Sequence, residues 1–565
     1  MITSLDSLEK ARLGAVYTPS GLAEWVASEA LLYVIRKNES VFACDPACGE
    51  GDLLLALKTV SPRCKLIGFD VDSTALKQSK VRNAEGVNLV NANCIVPSGS
   101  DSIKAHWNKI LENRTPNLFL TNPPWGIDLH ISRKALEELG FTLATLQFDS
   151  YEIFCEAILN VAKSGSIIAM ILPDSVFYPE KRKFRHFLLK QGNLLLIARL
   201  GEGFFEGVYR ATTVIIMEKG RASLEHQVRC LRLTAAERRR VLSHNESLSQ
   251  ITRCHSHKVQ QERFHKDAEN RFDIDLRENE EKTVSKFRMI EPVWSQWLQS
   301  TRGVEISKTG RIAECPKCDK ANPFPRQSEK ADCKFCGHTF HAVNNSRQII
   351  FRQQEKIHGT KPIIVGADVG RYSVSPSRHI IEDVPGIDYK TDAHRTSPRI
   401  LIRKTGLGIK AAFDTSGHYT NQVVFSYFKN GTPVPDFFLQ YVLGVLNSRV
   451  LLGYFLKTQG EVEWKSHPYI TQKMINSLPI PTFTQGSKTE KQARAIADAV
   501  RVFEKAKNKD VTQDLFIDCL VAGLFHLTNA DCQWIVKVLN EADGLEPIRT
   551  LRVENAKLLR PHIVL

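Results

Sequence analysis

Apolar residues along the first 220 positions fall into two patterns that alternate. Short, nearly unbroken apolar runs occur at Val41-Phe42-Ala43-Cys44, Lys65-Leu66-Ile67-Gly68-Phe69-Asp70, Val87-Asn88-Leu89-Val90, Leu118-Phe119-Leu120 and Ser166-Ile167-Ile168-Ala169-Met170-Ile171-Leu172-Pro173. These read as strands, and a strand apolar on both faces belongs in a parallel sheet covered on both sides. Between them, Leu22, Trp25, Val26, Ala30 and Leu31 return at helical spacing, with Thr18 as N-cap and Pro19 at the first helical position. Phe154, Ile158 and Val161 form the sheet-facing side of a second helix that opens at Asp149. A further strand follows at Ala211 to Met217. The alternation predicts an α/β domain with a doubly wound, mostly parallel sheet over residues 1–220.

Beyond residue 220 the pattern changes. A charged stretch to about residue 290, including Glu237-Arg238-Arg239-Arg240, reads as exposed helix or linker. Ile400 to Gly406 and Asn421 to Phe425 read as strands, Phe437 to Ser448 as a helix, and Lys491 to Ile563 as helical. The expected domains are a catalytic domain over 1–220, a charged, partly helical connection over 221–300, a small cysteine-bearing insert over 301–345, an α+β domain over 346–485 and a helical region over 486–565. A chain of 565 residues exceeds one core and suggests roughly three to four domains. No apolar run approaches the roughly 20 residues of a membrane span, so a cytoplasmic chain without membrane contact is expected.

Charge sharpens the division. Residues 1–220 hold 24 Lys+Arg and 24 Asp+Glu, so the whole net charge of +14 lies beyond them. A neutral first half and a basic second half point to a catalytic unit joined to a unit that binds a polyanion.

Candidate chemistry sits at the strand ends. Asp45-Pro46-Ala47-Cys48-Gly49-Glu50-Gly51 is a tight glycine turn between strand and helix. It lacks the third glycine of a dinucleotide fingerprint and the Gly-Lys-Ser/Thr of a phosphate loop. A ligand with a carboxylate and a nucleoside but no phosphate fits better. Asp70, with Asp72 second, stands where an acid accepts ribose hydroxyls, and Asn93 could reach an adenine amino group. Asn122-Pro123-Pro124-Trp125 ends the fourth run as a rigid corner: one amide, exposed carbonyls and a flat ring, suited to a planar amino-bearing ring. Far downstream, Cys315-Pro316-Lys317-Cys318 and Cys333-Lys334-Phe335-Cys336 stand 14 residues apart. Two such knuckles read as a closed, tetrahedral, structural zinc ribbon, and the nine other cysteines as buried thiols.

The order Val16-Tyr17-Thr18-Pro19, the glycine turn, Gly68-Phe69-Asp70 and Asn122-Pro123-Pro124-Trp125 resembles the gamma-class, TaqI-like adenine-N6 DNA methyltransferases of bacterial restriction–modification systems. The resemblance implies a Rossmann-like class I methyltransferase domain followed by a target-recognition domain. It implies S-adenosylmethionine as methyl donor, with Tyr17, Thr18, Asp45, Ala47 and Gly49 at its methionine end, Asp70 at its ribose and Asn93 at its adenine. Asn122 would touch both cofactor and base. Asn122 and Pro123 would accept the amino hydrogens of a flipped adenine while Trp125 and Phe205, preferred over Phe204, clamp its faces. Glu50 stands where the family often has a small residue, Leu53 where it often has Phe, and Asn93 where Asp is usual. Phe437 to Ser448 and Ile475 to Pro481 resemble the recognition domains of the same enzymes, with Arg403, Lys404 and Lys410 as candidate DNA contacts. The implied partners are double-stranded DNA and a separate cognate restriction endonuclease, since nothing before Gly14 could hold a nuclease. Two rival readings stay open: an RNA or protein-glutamine methyltransferase with the same corner, and a non-catalytic DNA-binding module.

Overall fold

The computed structural model describes residues 17–564, apart from 38–39, 98, 100–101, 206–209, 222, 224, 245, 308, 326–327, 356, 391, 430, 432–433, 459–469, 507–509, 543 and 547. Val16, which entered the motif above, lies outside the described residues. The chain divides into two compact units, residues 1–279 and 280–565.

The first unit is built on a nine-stranded sheet: β1 (Phe42–Asp45), β2 (Lys65–Asp70), β3 (Val87–Asn91), β4 (Leu118–Thr121), β5 (Ile167–Pro173), β6 (Gly192–Gly201), β7 (Thr212–Lys219), β8 (Gln227–Arg232) and β9 (His257–Gln260). Their order in space is β3-β2-β1-β4-β5-β7-β6-β8-β9. The run β3-β2-β1-β4-β5 is parallel throughout, and β7 joins β5 antiparallel. The chain builds outward from β1 to β3, then returns to lay β4 on the other side of β1. That reversal opens a crevice at the carboxyl ends of β1 and β4, where doubly wound sheets bind ligands.

The unbroken apolar strands are explained by two cores, one on each face. In β5, Ile167, Ala169 and Ile171 face the core that also holds Leu22, Trp25 and Leu54, from α1 (Ser20–Ile35) and α2 (Asp52–Val60). Ile168, Met170 and Leu172 face the other core, with Trp107 from α3 (Ile103–Ile110) and Ile158 from α4 (Ser150–Val161). Successive side chains of a strand point to opposite faces, so both sets must be apolar.

Three expectations change. Thr18 is not the N-cap of α1: Pro19 occupies that position without a side-chain cap, and Thr18 is buried against the corner described below. In α4 only Ile158 of the three expected facing residues is buried, while Phe154 and Val161 are half-buried. The sheet domain expected over residues 1–220 does not end there. β8 and β9, drawn from the stretch read as linker, extend the sheet, with Val228, Cys230 and Leu231 fully buried. Two arginines of β8 are paired: Arg229 with Glu29, and Arg232 Nε with Asp275 at 2.8 Å. β6 is a further strand that the pattern reading did not single out.

The second unit holds a four-stranded antiparallel sheet ordered Leu298–Arg302, Val424–Lys429, Arg399–Arg403, Ala411–Asp414. Helices Phe438–Asn447, Arg449–Thr458, Lys488–Lys505, Val511–Leu524 and Asn529–Glu541 also belong to it. Of the three candidate DNA contacts, Lys404 is buried, Lys410 pairs with the exposed Glu546, and Arg403 is half-buried. Eight of the nine cysteines outside the knuckles are buried, and Cys254 is exposed. No single helix among the described residues is long and apolar enough to cross a membrane.

Candidate active site

At the crevice lies a cavity of about 830 Å³, lined by residues from the ends of β1 to β4. All eleven residues singled out for cofactor and base line this one space: Tyr17, Thr18, Asp45, Ala47, Gly49, Asp70, Asn93, Asn122, Pro123, Trp125 and Phe205. The volume falls in the range of small-molecule sites.

One end is acidic. Asp45, the last residue of β1, is 2% exposed and accepts the Ala47 N–H at 3.2 Å. Burial, opposed by that amide and reinforced by the charge of Asp70, pushes its carboxyl up to about 8. Asp70 ends β2, and its two oxygens accept the N–H groups of Gly49 and Asp72, each at 2.9 Å. Burial raises its carboxyl as well, against those two hydrogen bonds. The glycine turn thus rests on Asp70. Gly49 takes a positive φ of 48°, and a Cβ there would meet nothing within 4 Å, because its open side is the cavity. Asp72 is spent elsewhere: it caps the short helix Ser73–Gln78 through the Thr74 and Ala75 amides.

Two departures from the family pattern find partners. Glu50 forms a hydrogen bond with Tyr17, and together with burial this raises the Tyr17 phenol. Asn93 turns its Oδ1 onto the amides of Ile95 (2.9 Å) and Val96 (3.0 Å). The end of Asn93 opposite that turn is an amide NH₂, a donor, suited to a ring nitrogen rather than to an amino group.

The other end is the corner. Asn122 Nδ2 donates to Thr18 Oγ1 at 3.2 Å, which ties the corner to the start of α1. Trp125 donates its indole N–H to the Ile171 carbonyl at 3.3 Å. The first turn of α4 clamps the segment from outside. Ser150 Oγ donates to the Pro124 carbonyl at 2.6 Å, and Asp149 Oδ1 accepts the Gly126 N–H at 2.6 Å. Two prolines remove backbone donors here, so side chains supply the fixing bonds. Asp149-Ser150 was read only as a helix start; the clamp depends on tertiary proximity and has no local signature.

Phe205 meets Trp125 edge to face, centroids 5.4 Å apart at 80°. A base stacked between the two rings needs them roughly 7 Å apart, twice a carbon contact distance. Phe204 is buried too but does not line the cavity. Arg210 also lines the cavity, and no expectation had named it.

In the second unit, the four Sγ atoms of Cys315, Cys318, Cys333 and Cys336 lie within 4.8 Å of one another. Cys315 and Cys336 are 3.6 Å apart, as are Cys318 and Cys333. Both knuckles close alike. The Cys315 amide donates to the Lys320 carbonyl and the Cys333 amide to that of His338, while Asp319 and Gly337 take the same left-handed turn position.

A glycine turn, a strand-end acid and a ligand cavity at the reversal of a doubly wound sheet define a class I methyltransferase fold. The profile described as N-6 DNA methylase matches residues 1–291, and that of a TaqI-like C-terminal specificity domain matches residues 361–480. The first covers more than half of the chain, and the protein belongs to the N-6 DNA methylase family. It is 30% identical over 176 residues to the type II methyltransferase M.VspI of Vibrio sp. (strain 343), a match covering 31% of this chain and 40% of that one. It is 24% identical over 218 residues to the type II methyltransferase M.BanIII of Aneurinibacillus aneurinilyticus, covering 34% and 36%. The chain therefore matches well under half the length of either relative. The type IIL restriction–modification enzyme MmeI, solved in complex with DNA, shares the fold, with a TM-score of 0.53 at 13% identity over 99% of this chain and 77% of that one.

Proposed function

We propose that the protein transfers a methyl group from S-adenosylmethionine to N6 of an adenine flipped out of double-stranded DNA. The observation that carries this reading is the single cavity that joins an acidic, glycine-floored end to the Asn122–Trp125 corner. The acidic end fits a cationic ligand: Asp45 is a buried carboxylate whose ionisation is suppressed by burial, and a positively charged ammonium or sulfonium would restore it. Tyr17, Thr18, Ala47 and Gly49 would hold the methionine end, Asp70 the ribose and Asn93 the adenine of the cofactor. When bound, the cofactor supplies an activated methyl group.

The residues at the corner act on the adenine. Its amino lone pair is delocalised into the ring and is a weak nucleophile. Thr18 accepts from the donor end of the Asn122 amide, which supports a reading in which the acceptor end serves the incoming amino group. Asn122 Oδ1 and the Pro123 carbonyl would accept the two amino hydrogens in the ring plane and direct the lone pair along the ring normal. Trp125 and Phe205, edge to face in this structure, would part and turn to stack on the two faces, each contact on the order of 1–3 kcal/mol. Catalysis of this kind is positioning and electrostatics, with no strong base required. The base must leave the helix to reach this depth, at a cost of a few kcal/mol.

The four clustered thiols fit a structural zinc ion. A tetrahedral site with Zn–S near 2.3 Å puts its sulfurs roughly 3.8 Å apart, close to the 3.6 Å separations of the Cys315–Cys336 and Cys318–Cys333 pairs. The specificity-domain match at 361–480 and the basic second half suit target recognition, and a separate nuclease of the same specificity is the setting this reading implies. Incubation of the full chain with radiolabelled S-adenosylmethionine and separate DNA, RNA and protein pools tests the substrate class. Label in DNA, recovered as N6-methyladenine and lost in Asn122→Ala with cofactor binding intact, is the expected result. Label in RNA or protein alone would overturn it.

A further inference from the structure

The charges around the cavity are unevenly placed. Five carboxylates line it, at Asp45, Asp52, Asp70, Asp72 and Asp128, and among the described residues Arg210 is its single Lys or Arg. The cation is not among the acids of the cofactor end but packed on the corner. Its side chain is half exposed, and its Nη1 lies 3.5 Å from Asp149 Oδ2. The same Asp149 holds the Gly126 N–H through its other oxygen. A Cβ on Gly126, whose φ is +69°, would come within 2.7 Å of the guanidinium Nη2. A glycine directly after Trp125 therefore meets two needs: a left-handed turn, and room for an arginine against the corner's backbone.

We propose that Arg210 receives a phosphate of the extrahelical nucleotide, and so fixes the depth and rotation at which the adenine enters between Trp125 and Phe205. The inference rests on the methyltransferase reading above. The base is the part of the nucleotide that enters the apolar slot, and its anionic phosphates stay at the cavity mouth. Arginine is the side chain whose planar fork matches a phosphate through two parallel hydrogen bonds. The ion pair with Asp149 is long and half exposed, so it orients the guanidinium without consuming its donors. Asp45, Asp52, Asp70 and Asp72 at the cofactor end repel the DNA backbone, whereas Arg210 is the one Lys or Arg among the described cavity-lining residues that can attract a phosphate.

The test is steady-state methyl transfer to unmethylated plasmid DNA, measured for wild type, Arg210→Gln and Arg210→Lys across a series of salt concentrations, with cofactor affinity measured alongside by calorimetry. For Arg210→Gln, kcat/KM for DNA should fall about tenfold, and the slope of log kcat/KM against log salt should become shallower by about 0.9, the value of one phosphate contact. Arg210→Lys should regain most of the rate and the slope, and all three proteins should bind S-adenosylmethionine equally. A fall in rate with an unchanged slope would show that Arg210 only pins the corner through Asp149, and would overturn the proposal. A changed cofactor affinity would overturn it as well. No transfer to DNA by the wild-type chain would instead overturn the methyltransferase reading, and this proposal with it.

Discussion

Two carboxylates stand at strand ends in the same sheet, and both are 2% exposed: Asp45 closes β1, and Asp174 follows β5. Asp174 is fully answered from within the chain. Arg199 reaches it through Nε at 2.9 Å and also through Nη2, and Thr213 Oγ1 donates at 2.9 Å. Asp45 has one backbone amide, and its carboxyl is pushed up to about 8. The second unit repeats the first arrangement: Arg449 reaches Asp518 at 2.5 Å and Asp514 at 3.0 Å, all fully buried. A buried acid with its own arginine belongs to the architecture. A buried acid that opens on a cavity without one waits for a cation from outside. Burial alone does not separate the two cases; the source of the counter-charge does.

The comparison can be broken most severely at Arg199. Arg199→Ala leaves Asp174 buried and uncompensated, and should lower stability by about 3–5 kcal/mol, seen as a lower urea midpoint. At Asp45 the opposite sign is expected for the unliganded protein. Its folded carboxyl ionises well above the ordinary carboxylate range, so the folded state holds a proton that the unfolded chain releases, and stability falls as pH rises from that range through about 8. Asp45→Asn removes that loss. Its melting temperature should exceed wild type at pH 9 and match it near pH 4, while its affinity for S-adenosylmethionine falls by roughly 30-fold or more. A lower melting temperature at pH 9 would mean that Asp45 is answered internally after all.

A finer test leaves the protein unmutated. If a cationic cofactor favours ionised Asp45, binding at pH 7 should release close to one proton, and binding at pH 10 almost none. Calorimetry in two buffers of different ionisation enthalpy reads this directly, and equal enthalpies at pH 7 would contradict it. The smallest effect is expected where no charge is involved. Thr18→Val removes the acceptor that orients the Asn122 amide, so kcat should drop about fivefold, the value of one neutral hydrogen bond, with little change in cofactor affinity.

The parallel half of the sheet and the cofactor turn were legible because their signals are local. β1, β2, β4 and β5 are short contiguous runs, and Asp45 to Gly51 is one contiguous turn motif. The failures share a cause. β8 lies within a stretch whose charge reads as linker, and the acids that neutralise its Arg229 and Arg232 are distant in the chain: Glu29, 200 residues away, and Asp275, 43 residues away. Lys404 and Lys410 looked like DNA contacts because sequence does not reveal that one is buried and the other faces Glu546. Thr18 looked like an ordinary helix cap because its partner is 104 residues distant.

From sequence alone came the alternation of strands and helices, the four spaced thiols and the division of charge, each carried by near neighbours in the chain or by a plain count. The eleven site residues were named partly through the resemblance to a known family, and the cavity that they share is a finding of the structure. Tertiary structure alone decided that Asp149 and Ser150 clamp the corner, that Arg210 stands beside Trp125, and that Asp174 is matched while Asp45 is not. Electrostatic partnership depends on separation in space, and folding brings together residues that position in the chain cannot pair.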